Sequence, residues 1–189
     1  MKIGCVLMAA GLSARFGENK LLHVLNGRAM LEWALCAAPA SLFDRAVAVV
    51  SDPRVAEIAT RAGYGCVRNP DPAAGQGGTV SLGAMAMAGM DAALFCVADQ
   101  PYLTEGSVRR VLAAGAPGRI VALAFEGRRG NPVLFPGDLL PALAALPPER
   151  TGKAVIARNE DRVFLVEAGC GRELWDVDRR EDLGDGEGG

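Results

Sequence analysis

The chain opens Met1-Lys-Ile-Gly-Cys-Val-Leu-Met-Ala-Ala-Gly-Leu-Ser-Ala-Arg-Phe-Gly-Glu-Asn-Lys-Leu-Leu22, and this stretch decides the fold. The apolar run from Ile3 to Ala10 has the character of a strand buried on both faces. It empties into a glycine-punctuated loop that carries Arg15 and Lys20. Open α/β sheets bind their ligands in such loops, at the carboxyl ends of the strands. Gly11 and Gly17 let backbone N–H groups come close to an anion, and Arg15 and Lys20 add positive charge. Two common phosphate cradles are excluded by spacing. A P-loop needs its second glycine five residues after the first, followed at once by Lys and Ser or Thr. Here Gly17 follows Gly11 by six residues, and Lys20 precedes Leu21. The dinucleotide fingerprint G-x-G-x-x-G fails because Ser13 stands where its second glycine belongs.

Beyond the loop, strand-like and helix-like runs alternate, the pattern of a mostly parallel sheet covered on both faces. Helices are expected over 29–38, 54–62, 79–87, 104–115, 139–146 and 154–158, with Thr79 and Thr104 as N-caps. Strands are expected over 46–50, 64–67, 92–98, 119–125, 132–135 and 163–166, and 127–131 reads as a turn. The segment 69–78 holds two prolines and three glycines and reads as loop. The expected fold is therefore α/β, a three-layer Rossmann-like sandwich. Residues 1–183 read as a single domain, and Gly184-Asp-Gly-Glu-Gly-Gly189 as a disordered tail.

Composition removes several classes of function. With 189 residues, 50% of them apolar and 22% charged, the chain can bury a substantial core. The net charge is −2 and the 20 basic residues are scattered, so no nucleic-acid footprint is expected. No apolar stretch reaches the ~18 residues of a membrane span, and the start does not read as a secretory signal. Five cysteines lack C-x-x-C spacing, and because four of them sit in apolar segments they read as buried free thiols in a reducing cytoplasm. His23 is the single histidine, which argues against a zinc site and against Ser-His or Cys-His catalysis.

Asp99 ends an apolar strand before Gln100-Pro101, which places its carboxylate at the carboxyl edge of the sheet. A hard oxygen there suits Mg²⁺ bridging to substrate phosphates. A turn aspartate bonding its own backbone explains the local sequence equally well. In Asp176-Val-Asp178 an extended chain would direct both carboxylates to one face. Asp178 with Glu181 also reads as the start of a helix.

Met8-Ala-Ala-Gly-Leu-Ser-Ala-Arg-Phe-Gly-Glu-Asn-Lys20 resembles the signature loop of nucleotidyltransferases that move a nucleoside monophosphate from an NTP to a phosphate. It is most similar to the branch acting on the molybdenum cofactor, the molybdopterin cytidylyltransferases. Val97-Ala-Asp-Gln-Pro101 resembles that family's metal-binding segment, which implies Asp99 as a Mg²⁺ ligand. By position Asp178 matches a second metal contact, although Arg179-Arg180 replaces the usual Thr-Pro. Gly75-Gln-Gly-Gly-Thr-Val-Ser-Leu-Gly83 resembles the second nucleotide loop, with Gly77 and Ser81 on matching positions. Arg128-Arg-Gly-Asn-Pro-Val-Leu-Phe135 is similar to the acceptor-side segment, implying Arg129 and Asn131 as acceptor contacts. Asn131 stands where His is more usual, and the Gly-Asp-x-Gly segment is poorly kept in Glu149-Arg-Thr-Gly-Lys153.

The resemblance implies a catalytic set of Arg15, Lys20 and Asp99. The nucleotide contacts are then Ala9, Ala10, Gly11, Ser13, Arg15, Lys20, Gly77 and Ser81, with metal on Asp99 and Asp178. Ala9-Ala10-Gly11, where the guanylyl branch carries Ala-Gly-Gly, implies CTP over GTP. The implied acceptor is molybdopterin or its molybdenum form, the implied product serves a molybdenum hydroxylase client, and the implied compartment is the cytoplasm. Three alternatives remain: a non-catalytic carrier of the same fold, a transferase using GTP or a sugar or polyol phosphate, and a reductase.

Overall fold

The structure is a computed structural model that describes residues 1–12 and 19–177. In chain order it contains β1 (Ile3–Ala9), β2 (Val24–Leu25), β3 (Arg28–Ala29), α1 (Met30–Ala37), β4 (Arg45–Val50), α2 (Pro53–Arg61), β5 (Gly65–Arg68), α3 (Gln76–Ala86), β6 (Ala92–Val97), α4 (Glu105–Ala113), β7 (Ile120–Phe125), β8 (Arg128–Pro136), α5 (Leu140–Ala144), α6 (Gly152–Ala157) and β9 (Val163–Glu167). Seven strands form one sheet in the order β5-β4-β1-β6-β8-β7-β9, and β2 with β3 makes a small separate hairpin. Within the large sheet β8 alone runs against its neighbours β6 and β7, and the other pairings are parallel. This is the α/β sandwich that the sequence pattern predicts.

Both faces of the sheet are covered. On one, Leu31, Leu35, Val55, Val108 and Val111 of α1, α2 and α4 pack on Leu7, Leu94 and Leu123. On the other, Val80, Ala84, Leu140, Leu143 and Val155 of α3, α5 and α6 pack on Val6, Val49 and Phe95. Burial of every position in β6 explains its unbroken apolar run. Gly83 allows α3 to lie close on β1, since a Cβ there would come within 2.4 Å of Val6 Cγ1. Asp52 caps α2, with Pro53 at its first position, and Thr104 caps α4 through the N–H of Ser107 at 3.2 Å.

Three local expectations are corrected. The helix expected from Thr79 begins at Gln76, and Thr79 is a buried residue whose hydroxyl accepts from Asn69 Nδ2 at 3.0 Å. Glycine-rich sequence has poor intrinsic helix propensity. Here the first turn forms because the 147–150 backbone packs against it, with the Gly77 N–H donating to the Pro148 carbonyl at 2.9 Å. The expected 127–131 turn is tighter than that. Glu126 and Gly127, both at positive φ, turn the chain, and Arg128–Asn131 already belong to β8. Finally, Cys5 and Cys96 are buried as expected, whereas Cys36, Cys66 and Cys170 are exposed. Cys36 lies on the outward side of α1 and Cys66 on the edge strand β5, so apolar neighbours in sequence did not mean burial.

Candidate active site

The carboxyl ends of β4, β1 and β6 lie side by side, because Ala9 is in register with Val50 and Met8 with Val97. The segments leaving these strands brace one another. Ser51 Oγ donates to the Ala10 carbonyl at 3.3 Å, and Asn19 Nδ2 donates to Asp52 Oδ2 at 3.0 Å. Asn19 also receives the N–H of Leu21 on its Oδ1, which caps a short 3-10 turn at 20–22. That turn delivers Lys20 inward. Hydrogen bonds from the Arg54 side chain hold the Asp52 carboxyl at about 2, against the opposing effect of burial, with help from the Arg54 N–H and Asn19.

Lys20 Nζ donates to Asp99 Oδ2 and to the Val177 carbonyl, each at 2.8 Å. The two charged side chains are 11% and 23% exposed, so their attraction is only partly screened by water. The fold thus joins Lys20 to Asp99 across 79 positions of sequence. Among the described residues, Lys20 supplies the one hydrogen bond to that carboxylate, and Asp99 Oδ1 accepts none. Ala9 and Ala10 are buried at the exit of β1, and among the described residues nothing lies within 4 Å of a Cβ added at Gly11. Packing among the described residues does not require glycine there. Ser13, Arg15, Gly17 and Asp178 lie outside the described residues.

The segment 169–177 straps across this end of the sheet. The Val177 N–H donates to the Asp99 carbonyl at 2.9 Å, and Gln100 Nε2 donates to the Leu174 carbonyl and to Asp176 Oδ1. Glu173 fastens the strap. Only 3% exposed, its carboxylate accepts from Gly169 N at 2.7 Å, Thr104 Oγ1 at 2.8 Å and Thr104 N at 3.2 Å. Burial would raise its pKa, but the donors, Ser107 and Thr104 foremost, outweigh burial and lower it. Sequence reasoning assigns no role to Asn19, Asp52, Gln100 or Glu173. Gln100 lies inside a recognisable segment, but nothing in the sequence separates Glu173 from a surface acid.

A cavity of about 1080 Å³ opens on the α3, α5 and α6 side, lined by Phe125, Arg128, Arg129, Asn131, Lys153 and Trp175 among others. Arg128–Asn131 reach the carboxyl edge because β8 runs backwards and so begins where β6 ends. Arg129 makes a two-bond pair with Glu160, at 2.8 and 3.0 Å, across one wall of the cavity. The other two nucleotide candidates on α3 are engaged elsewhere. Gly77 abuts the carbonyls of Pro147 and Arg150, and the Ser81 hydroxyl donates to the Ala144 carbonyl of α5. Among the described residues, no group of three or more His, Cys, Asp and Glu side chains is placed to hold a metal ion. None of the described helices is long and apolar enough to cross a membrane.

A mostly parallel sheet with loops at the carboxyl ends of its strands is a frame on which open α/β proteins bind their ligands. The MobA-like NTP transferase domain matches residues 5–163, and the chain belongs to that family. It is 30% identical over 192 residues to the nicotine blue oxidoreductase of Paenarthrobacter nicotinovorans, covering 94% of this chain and 93% of that one. It is also similar to the solved structure of a nucleotidyl transferase from Methanothermobacter thermautotroptrophicus, with a TM-score of 0.83 and 25% identity over 96% of this chain and 94% of that chain. Rv0371c of Mycobacterium tuberculosis shares the fold, with a TM-score of 0.80 and 22% identity over 96% and 95% of the two chains.

Proposed function

We propose that this protein transfers CMP from CTP to the terminal phosphate of a molybdopterin-type acceptor, releasing pyrophosphate, in the cytoplasm and for a molybdenum hydroxylase client. The observation that carries the reading is the Lys20–Asp99 pair at 2.8 Å, set beside an uncovered Gly11 at the exit of β1. In this scheme an acceptor phosphate oxygen attacks the α-phosphorus of CTP, the bond to the bridging oxygen breaks, and pyrophosphate leaves. Such transfer requires positioning and charge neutralisation more than covalent help from the protein. Backbone groups of Ala9, Ala10 and Gly11, with Ser13 and Arg15, take the triphosphate. Lys20 neutralises charge at the α-phosphate and on the departing pyrophosphate. The acceptor is already an anion, so no histidine base is needed.

The residues fit a magnesium ion in one respect: among the described residues, none donates to Asp99 Oδ1, and Mg²⁺ commonly binds through one or two carboxylates plus substrate phosphates. Asp99 and Asp178 would hold it, and bound there it would lower the repulsion between the two phosphates. The test is pyrophosphate release from CTP and from GTP, with Mg²⁺, with and without molybdopterin. Release from CTP that depends on the pterin is expected. Binding without release would instead establish a carrier.

A second reading is favoured by the 30% identical relative whose name describes an oxidoreductase acting on nicotine blue. The aromatic cavity would then hold a nitrogen heteroaromatic undergoing reduction. Consumption of a nicotinamide reductant, with no pyrophosphate release from any nucleotide, would decide for it.

A further inference from the structure

Gln100 is 2% exposed and borders the cavity, one residue beyond Asp99. Its Nε2 donates to the Leu174 carbonyl at 3.2 Å and to Asp176 Oδ1 at 2.8 Å. Two acceptors at one end of the amide fix its orientation, because a flipped amide would set oxygen against oxygen. The outcome is a defined acceptor at the other end. Oε1 has no hydrogen-bond partner among the described residues, and it exposes less than 1 Å². Folded proteins retain few such atoms, since a bare buried acceptor is costly. An apolar side chain would avoid the cost, yet the amide stands here beside a ligand-sized cavity.

We infer that Gln100 is a specificity-determining residue, its Oε1 accepting an N–H from the edge of a nitrogen heteroaromatic acceptor bound in this cavity. The inference rests on the acceptor reading proposed above. Phe125 and Trp175 supply flat apolar surface for a ring, while Arg128 and Lys153 supply charge for its phosphate. The bordering side chains must part slightly for the ring to reach Oε1, a common adjustment on binding. A ring that offers a lone pair or a methyl group at that edge leaves the oxygen bare and is rejected.

The test is ligand titration of the whole protein, read by emission of Trp175 in a Trp33→Phe background, which leaves a single tryptophan. The probes are pterin and its 2-dimethylamino-3-methyl analogue, which keeps the ring but has no N–H on that edge. Pterin should bind about tenfold more tightly than the analogue. Gln100→Met removes Oε1 and also the two Nε2 bonds to the strap, so the reading is the ratio: the tenfold preference for pterin over the analogue should fall to near one. A merely structural role would weaken both rings alike and leave their ratio where it was. Equal binding of the two rings overturns the inference, as does full pterin affinity in Gln100→Met, which would mean that a buried water serves Oε1. Failure of pterin itself to bind overturns the acceptor reading, and this inference with it. If the variant does not fold, the two-ring comparison on Gln100 protein decides alone.

Discussion

Replacing Glu173 with Gln should cost this protein about 2–4 kcal/mol, although the two side chains have the same shape. The carboxylate accepts from the N–H of Gly169 and from the N–H and hydroxyl of Thr104, with the Ser107 hydroxyl also lowering its pKa, and it is 3% exposed. A glutamine must turn its NH₂ toward Gly169 or toward Thr104. Either choice removes at least one charge-assisted bond, worth ~1.5–3 kcal/mol, and leaves a buried donor facing a donor. The N–H groups of Gly169 and Thr104 cannot compensate, because a backbone N–H donates and has no lone pair to accept with.

Urea unfolding measures this directly. With a slope of about 2 kcal/mol/M, the midpoint should fall by ~1–2 M. The pH dependence gives a second, independent check. The folded Glu173 pKa lies below its ordinary value of 4.5, so its contribution is fully present above that pH. The contribution is lost as pH falls through the lower folded value, so the gap between wild type and variant should close in acid. A midpoint shift below ~0.3 M at pH 7 would refute the clamp, given that slope. So would a gap that stays constant from pH 7 into acid.

Three further outcomes are expected. Lys20→Met should lower pyrophosphate release from CTP by about 10²–10³-fold with an unchanged far-UV circular dichroism spectrum, as loss of a charge-stabilising donor does elsewhere. Near-normal turnover would remove the central element of the proposed mechanism. Gly77→Ala should destabilise by ~1–3 kcal/mol, read as a lower Tm, because its Cβ would lie 2.2 Å from the Pro147 carbonyl oxygen, which is backbone and cannot rotate away. Asp52→Ala should cost about 1 kcal/mol at pH 7 as the cap of α2 is lost. With the folded Asp52 carboxyl at about 2 against an ordinary 3.8, that difference is complete above pH 4 and disappears as pH falls toward 2, which acid denaturation of the pair will show.

What was legible in the sequence was local. The apolar run of β1, the charged loop behind it and Asp99 at a strand exit each announce themselves within a few residues, and they locate the carboxyl edge. The contacts that complete the site are not local. Lys20 meets Asp99 across 79 positions, and Glu173 reaches Thr104 across 69. No periodicity encodes either contact. The α3 start shows the same limit from the other side: Gly75-Gln-Gly-Gly reads as loop because glycine disfavours helix, and only the distant 147–150 chain makes the helix form there. Gly77 and Ser81 match a nucleotide-loop pattern. In the fold their N–H and hydroxyl bond to Pro148 and Ala144, so a pattern match located the element without establishing what its polar atoms do.

The arrangement also explains how one strand can separate two ligands. β1 and β4 flank β6 on one side, and their exits supply the charged loop and its braces. β8 flanks β6 on the other and, being antiparallel, contributes its first residues to the same edge. The chain leaves β6 at Ala98, and the two residues that follow serve opposite sides. Asp99 turns to Lys20, and Gln100 turns to the cavity. Neither could drift independently, because the strap holds both: the Val177 N–H bonds to the Asp99 backbone, and Leu174 and Asp176 bond to the Gln100 amide. A disturbance at Glu173, which touches neither side, should therefore reach both together. In Glu173→Gln, the KM for CTP and the KM for the acceptor should rise in parallel. A Glu173 variant that raised only one of the two would show that the strap does not couple them.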